Sequence, residues 1–493
     1  MLPIVPQPAE VTELEGDGAR LGSHVRLVTG CSVDEVGAGV LLAGVLGGLV
    51  GRSVEVVQTS PTVPAEPGDI VLRIDPTAGP AGSTSEERYT LESREDAILL
   101  AAPGLDGLHR AIATFGQLLE STQTGGYRVP AVRVLDEPRY SWRGLSLDVA
   151  RHFFGVDEVK RVISLMARHK LNVLHLHLSD DQGWRIEIPS RPLLSELGAT
   201  TSVDGGTGGF YTVEDFTELQ AFARARGITV VPEIDVPGHV NAALHACPEL
   251  SADGLPKPVY TGIEVGFSSL DAALPATAEF LRDVFTDLAA MTEGPWVHLG
   301  GDEAHDTAPQ DYATLVTLAA DTLRAAGKTP VGWQELASTS AARDAVVQLW
   351  DTRLPLEPLA AAAGAGAKIL LSPADRVYLD QKYYEGYPLG LDWAGFVELR
   401  DSYDWDPDAI VPGLGPDAVV GVEAAVWTER ITTMEELTTM LLPRLTAVAE
   451  VAWSMPERRD WDSFVARVRG QWRHWEAQGL AWYPSPQVDW EGR

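Results

Sequence analysis

The chain is predicted to be an α/β protein, with a (β/α)8 barrel over residues 139–493 preceded by a smaller α+β domain over residues 1–138. Three observations carry that expectation. From Trp142 onward, short apolar runs alternate eight times with segments of helical length and period, the pattern of parallel strands joined by crossover helices. All 14 tryptophans lie at or after Trp142, so the stretch before it is a compositionally different unit. A length of 493 residues accommodates a barrel of about 250 residues or more plus an accessory unit.

The first stretch reads as short strands at Ser53–Val57, Asp69–Ile74, Tyr89–Glu92 and Ala97–Ala101, with a helix over Leu105–Leu119. Leu41–Val50 is apolar, but too short and too rich in glycine for a membrane span, and is expected to be a core helix. His109, beside Arg110 in the helix, is expected at the surface or in a cap. No glycine-rich phosphate loop and no His-Glu-x-x-His occurs here. Pro138 interrupts regular structure and marks the boundary.

The barrel strands are expected at Leu145–Val149, Asn172–Leu178, Ile228–Ile234, Trp296–Leu299, Pro330–Gly332, Val346–Leu349, Lys368–Leu371 and Val419–Ala425. Val159, Val162, Ile163 and Met166 recur at helical spacing after the first. Asp157 and Glu158 suit that helix's N-terminus, and Arg168, His169 and Lys170 its C-terminus. Further helices are expected over Val213–Arg226, Ala276–Met291, Tyr312–Ala326 and Met434–Ala452.

Hydrophobic residues make up 45% of the chain and charged residues 22%, which suffices for a large core. The net charge of -32 repels phosphate backbones and anionic lipid, so neither nucleic acid nor a membrane is an expected partner. The 2 cysteines, Cys31 and Cys247, have no metal-type spacing and are expected to be reduced thiols. No basic region followed by an apolar run opens the chain. The expected location is therefore cytoplasmic, or secreted if a leader has been removed.

Barrel enzymes build their sites at the C-terminal ends of the strands. Here those ends carry Arg151, Asp180, Asp181, His239, Asp302, Glu303, Trp333, Trp350, Tyr378, Asp380, Trp427 and Glu429. The central stretch is His298-Leu299-Gly300-Gly301-Asp302-Glu303. Neighbouring side chains on a strand point to opposite faces. Asp302 and Glu303 can share a pocket only if the strand ends there and the glycines turn the chain. Aromatic faces with carboxylates and an arginine suit a sugar, whose C–H faces stack and whose hydroxyls donate to carboxylates and accept from arginine in charge-assisted hydrogen bonds. An acid can protonate a departing glycosidic oxygen. Sugar hydrolases usually separate two carboxyl groups by a gap. An adjacent pair fits that poorly, and points to a substrate that supplies its own nucleophile.

Asp148–Glu187, which holds Asp-Val-Ala-Arg-His-Phe-Phe and His-Leu-His-Leu-Ser-Asp-Asp-Gln-Gly-Trp-Arg, closely resembles family 20 glycoside hydrolases, the β-N-acetylhexosaminidases. So do Pro232–His239, His298–Glu303 and Trp427-Thr428-Glu429. The resemblance runs from about Arg139 to Val488, and the first domain resembles, more loosely, the small domain that often precedes this barrel. It implies that Glu303 is the general acid and then the general base. Asp302 would hold the N–H of the 2-acetamido group, and Tyr378 would donate to its oxygen, which attacks the anomeric carbon to give an oxazolinium ion. This family is a recognised substrate-assisted exception to the two-carboxylate rule. Trp333, Trp350 and Trp427 would wall the acetamido pocket. Arg151, Asp380 and Glu429 would bind sugar hydroxyls and close the pocket, so that single terminal sugars are removed. Asp180 and His239 would form a relay behind Glu303, and Trp393 a platform for the next sugar. The resemblance implies N-acetylhexosaminides, chitooligosaccharides or glycans as substrates and no cofactor.

Two other readings compete. His175 and His177 on one strand match a metal-dependent hydrolase on this fold, but the later strand ends offer tryptophans where further histidine ligands are needed. They are expected instead to be barrel-interior side chains with hydrogen-bond partners. A non-catalytic sugar-binding protein would keep the tryptophans and lose the acid, yet Glu303 is present. A disaccharide-releasing member of the same family is a further alternative, because pocket depth depends on the loops.

Overall fold

Eight parallel strands close into a barrel in chain order: β1 (Trp142–Asp148), β2 (Val173–His177), β3 (Thr229–Glu233), β4 (Trp296–His298), β5 (Thr329–Trp333), β6 (Val346–Leu349), β7 (Lys368–Leu371) and β8 (Val419–Val426). β8 pairs back onto β1, with Trp142 opposite Gly421 and Leu147 opposite Val426. The structure is a computed structural model that describes residues 2–22, 24–50, 53–59, 66–122, 126–415 and 417–490. Each barrel strand lies where its apolar run predicts it, within a few residues.

The outward side chains of these strands, such as Leu145, Leu147, Leu174 and Leu176, join the crossover helices in one large core. The helix Val156–Arg168 buries the predicted Val159, Val162, Ile163 and Met166. The single helix expected over Met434–Ala452 is in fact two, Met434–Leu441 and Arg444–Trp453. Pro443 separates them, because it has no N–H to continue the ladder and its ring crowds the preceding turn.

Inside the barrel the chemistry changes along the axis. Trp142, Val173, Val231, Val331, Val346 and Leu370 form an apolar plug at the N-terminal end. Two residues further along their strands, the inward positions become His175, Glu233, Trp333 and Gln348, all buried. The period of two that makes a barrel interior thus hands over from a hydrophobic plug to a polar layer under the mouth.

The first unit is a seven-stranded mixed sheet. Its order is Glu10–Glu13, Val132–Asp136, Tyr89–Ser93, Ala97–Ala102, Asp69–Ile74, His24–Thr29 and Ser53–Gln58. Pairing is antiparallel on one side and parallel on the other. The apolar run at Leu41–Val50 belongs to a helix, Val33–Val50, that buries Ala38, Leu42 and Leu46 against this sheet. Leu105–Leu118 is buried around most of its surface, because it lies between the sheet and the barrel helix Val156–Arg168. That corrects the surface placement of His109. Its ring is buried and backs onto Gly227, and burial, with Arg110 beside it, pushes it down to about 3, so it is neutral. Trp453, at the end of the helix Arg444–Trp453, completes the sheet's core. Its indole donates to Asp136, which also receives Lys170 at 2.7 Å.

Cys31 is exposed, Cys247 is buried and both are free. Among the described residues no helix is long and apolar enough to cross a membrane.

Candidate active site

β4 stops at His298, and the chain then does what the paired glycines allow. Gly300 has φ +72 and Gly301 φ +104. A Cβ on Gly300 would lie 1.8 Å from Asp235 Oδ1 and 2.6 Å from the Asp235 Cα, so no other residue fits without backbone movement. Gly301 N–H donates to Asp235 Oδ1 at 2.9 Å, and Tyr312 Oη donates to the Gly301 carbonyl at 2.7 Å. Glu303 follows with φ +44, and His239 opposite has φ +55. Left-handed backbone at non-glycine residues costs about 1–3 kcal/mol each and clusters at functional sites. The result is the geometry the sequence requires: Asp302 and Glu303 face one mouth, and His239 Nε2 lies 3.8 Å from a carboxylate oxygen of each.

The Glu303 carboxyl is held above the usual carboxylate range, first by burial and then by the Asp302 charge. Behind it, Asp180 takes His239 Nδ1 at 3.2 Å, His177 Nε2 at 2.8 Å and Arg151 Nη2 at 2.7 Å. Burial alone would raise the Asp180 carboxyl, but Arg151, then His239 and His177, outweigh it and hold it well below its ordinary value. The converse holds for His239: burial opposes its charge, yet Asp180 keeps the imidazole well above its usual range.

The facing wall is aromatic. Trp333, Trp350 and Tyr378 form one buried cluster with Ala374 and Ala425, and Trp427 packs against it. Ring centroids are 6.0 Å apart for Trp333 and Trp427, and 6.1 Å for Tyr378 and Trp427. Trp393, 40% exposed, stands at the rim 5.9 Å from Trp350 and 5.8 Å from Tyr378. The Arg151 guanidinium lies 5.0 Å over the Trp427 ring. Asp380 is buried, with one oxygen held by Gln381 Nε2 at 2.8 Å and Oδ1 without a partner. Burial and then the Glu429 charge push Asp380 up to about 7. Glu429 is raised by burial against the pull of Arg151. Every residue singled out from the strand ends therefore contributes to this mouth, apart from Asp181. Asp181 lies one step back: its Oδ1 accepts from Ser268 Oγ at 2.5 Å and Asn241 N at 2.9 Å, and its Oδ2 is 4.0 Å from His239 Nδ1.

Several groups at this mouth escaped the reading of strand ends. Asp235 braces the glycine turn. Burial and the Asp302 charge hold its carboxyl well above the usual range. Its carboxyl shares a hydrogen bond with that of Asp302, a contact that favours the protonated form of Asp235. Glu335 accepts from Trp350 Nε1 at 3.3 Å, and burial with the Asp302 charge pushes it up to about 8. Glu233 lies below the pocket. The signal for it was the odd position of an acid at the end of an otherwise apolar strand.

His175 and His177 are buried barrel-interior side chains with hydrogen-bond partners, as expected. His175 Nδ1 lies 2.9 Å from Glu423, and His177 Nδ1 lies 2.5 Å from Glu233.

The family model described as glycosyl hydrolase family 20, catalytic domain, matches residues 140–314 and 309–456, and the one described as its domain 2 matches residues 1–137. The chain belongs to glycosyl hydrolase family 20. A β-N-acetylhexosaminidase of Cellulomonas fimi is 52% identical over 489 residues, covering 99% of this chain and 97% of the relative. A β-hexosaminidase of Vibrio furnissii is 34% identical, with coverage of 91% and 76%. The solved β-N-acetylhexosaminidase of Streptomyces plicatus, in complex with Thio-NAglucal, superposes with a TM-score of 0.93 at 43% identity, covering 99% of this chain and 97% of that one. A mutant of the same enzyme in complex with the product GlcNAc gives 0.92 at 42% identity, with the same coverage.

Proposed function

We propose that this family 20 hydrolase is an exo-acting β-N-acetylhexosaminidase. It removes terminal non-reducing N-acetylglucosamine or N-acetylgalactosamine with retention of configuration. One observation carries the mechanism: a single glycine-bent turn presents both carboxyl groups, Asp302 and Glu303, to an aromatic pocket. The GlcNAc complex of a relative with a matching fold over 97% of its length supports the substrate class.

In this reading Glu303, whose carboxyl burial and Asp302 hold above the usual range, donates its proton to the departing glycosidic oxygen. The acetamido oxygen attacks the anomeric carbon as that bond breaks, giving an oxazolinium ion. Asp302 orients the acetamido N–H and offsets the developing positive charge. Tyr378 donates to the acetamido oxygen, while Trp333, Trp350 and Trp427 hold the group in line. Glu303, now a carboxylate, takes a proton from water, which opens the oxazolinium on the face the leaving group left. Arg151, Asp380 and Glu429 bind the hydroxyls of the terminal sugar and close the pocket beyond it. Asp180 and His239 steady Glu303, and Trp393 stacks the next sugar. We also assign residues 1–138 to the accessory domain and 139–493 to the barrel. The end of the first sheet at Asp136 and the start of β1 at Trp142 support that division.

The test is hydrolysis of 4-nitrophenyl N-acetyl-β-glucosaminide beside the β-glucoside that lacks the acetamido group. Turnover of the first alone is expected. Equal turnover of both would replace substrate assistance with an enzymic nucleophile, and turnover of neither would point to disaccharide release or to binding alone.

A further inference from the structure

Below the pocket floor lies a fully buried carboxylate that the mechanism above does not use. Glu233 ends β3 with its side chain inside the barrel. Its Oε1 accepts from Trp333 Nε1 at 2.9 Å and lies 2.9 Å from His298 Nδ1. Its Oε2 lies 2.5 Å from His177 Nδ1 and 3.0 Å from His175 Nε2. His177 spans the gap to Asp180, with Nε2 at 2.8 Å from Oδ2, and Asp180 meets His239 at 3.2 Å. One carboxylate therefore touches both halves of the site. One oxygen fixes the indole at the back of the acetamido pocket. The other reaches, through two more side chains, the imidazole that faces Glu303.

The charge pattern supports a carboxylate here. Burial opposes ionisation, but the charges of His177 and His175 outweigh it and hold Glu233 well below its ordinary value. In return the Glu233 charge overcomes burial and raises His177 to about 10 and His175 to about 9. A cationic His177 donates from both nitrogens, to Glu233 and to Asp180, which locks its ring. The other groups facing it are the Arg151 guanidinium, 3.4 Å away, and the Trp427 ring, in edge contact at 5.0 Å. His298 ends β4, two residues before the glycine turn, so a third contact reaches the strand that carries Asp302 and Glu303.

We infer that Glu233 is a positioning residue that couples the acetamido pocket to the acid–base relay, holding Trp333 with one oxygen and the His177–Asp180–His239 chain with the other. This rests on the family 20 mechanism proposed above.

The experiment is Glu233→Gln, which keeps the shape and removes the charge. It is read on two aryl N-acetyl-β-glucosaminides and by titration with N-acetylglucosamine. A 2,4-dinitrophenyl leaving group needs little acid assistance, whereas a phenyl group needs full protonation by Glu303. The variant is expected to lose at least ten times more kcat/KM on the phenyl substrate than on the dinitrophenyl one, and to bind N-acetylglucosamine about fivefold more weakly. A residue that only stabilises the fold would lower both rates by the same factor and leave sugar affinity unchanged, and that result would overturn the inference.

If Glu233→Gln shows no cooperative melt, Trp333→Phe and His177→Asn cut the two arms separately. The first should weaken sugar binding without leaving-group dependence, and the second should do the reverse. Identical effects from both would refute the coupling. The His177 imidazole N–H resonances of the wild-type protein give a readout independent of catalysis. Resonances of a neutral ring at pH 7 would sink the inference whatever the substrate. Failure of the wild type to hydrolyse either acetamido glycoside would count against the function instead.

Discussion

Gly300→Ala is the substitution whose cost can be followed atom by atom. The native residue sits at φ +72, and an L-residue in that region costs about 1–2 kcal/mol. The added Cβ would lie 1.8 Å from Asp235 Oδ1, 2.4 Å from its Cγ and 2.6 Å from its Cα. A side chain could swing aside, but the Asp235 Cα cannot, so the two loops must part. Overpacking of that kind costs about 1–3 kcal/mol. Displacing Asp235 also frees the buried Gly301 N–H that it accepts at 2.9 Å, worth about another 1–3 kcal/mol. The sum is on the order of 3–8 kcal/mol, a large part of the roughly 5–15 kcal/mol that stabilises a typical protein.

Gly205→Ala is the internal control. Gly205 has φ +74 with nothing within 4 Å of its added Cβ, so it isolates the backbone term of about 1–2 kcal/mol. Urea unfolding at neutral pH should place Gly300→Ala well below Gly205→Ala. Turnover of the folded fraction should fall by about a hundredfold, the cost of a displacement near 1 Å at reacting groups. If the two variants unfold together and Gly300→Ala keeps full turnover, the turn does not place the carboxyl pair and the account of the site fails.

Glu303→Gln should lower kcat by about a hundred- to ten-thousand-fold with little change in KM, and wild-type activity should fall on the alkaline side as Glu303 loses its proton. A pH–rate profile of wild type with no alkaline limb would contradict that role. Asp302→Asn should damage turnover of acetamido sugars severely, measured against the matching glucoside, because an amide cannot offset the oxazolinium charge. Asp180 has a depressed folded pKa, so its stabilising contribution is full above the unfolded value near 3.9 and is lost as pH falls through the folded one. Asp180→Asn should cost about 3–5 kcal/mol at neutral pH by leaving buried cations unpaired. Denaturant midpoints of wild type and variant should converge as the medium is acidified, and a constant gap down to pH 2 would refute the assignment.

Much of this protein was legible in its chain. A barrel strand is buried on both faces, so its apolar run stands out locally, and its C-terminal end shows in the first polar residues that follow. That is why the strand positions, and Arg151, Asp180, His239, Asp302 and Trp427, could be read in order. Short strands such as Glu10–Glu13 and Val132–Asp136 give no local signal, because the first is exposed along its length, the second alternates, and both acquire their meaning only from the partner they pair with. A surface placement of His109 fails because the polar stripe of its helix, which would face solvent on an isolated unit, is buried where the two units meet.

The tertiary structure alone decided which polar groups meet. Glu233, His177 and Trp333 come from three different strands, and nothing in their spacing states that one carboxylate receives both rings. Asp235 against the glycine turn, and Trp453 in the core of the first sheet, are contacts of the same kind. The physical reason is a difference in range. Strand and helix periods, turn residues and caps act over a few neighbours and are written into the local sequence. Desolvation and charge pairing depend on what the closed barrel brings within about 4 Å, the distance at which a buried charge is either satisfied or costly.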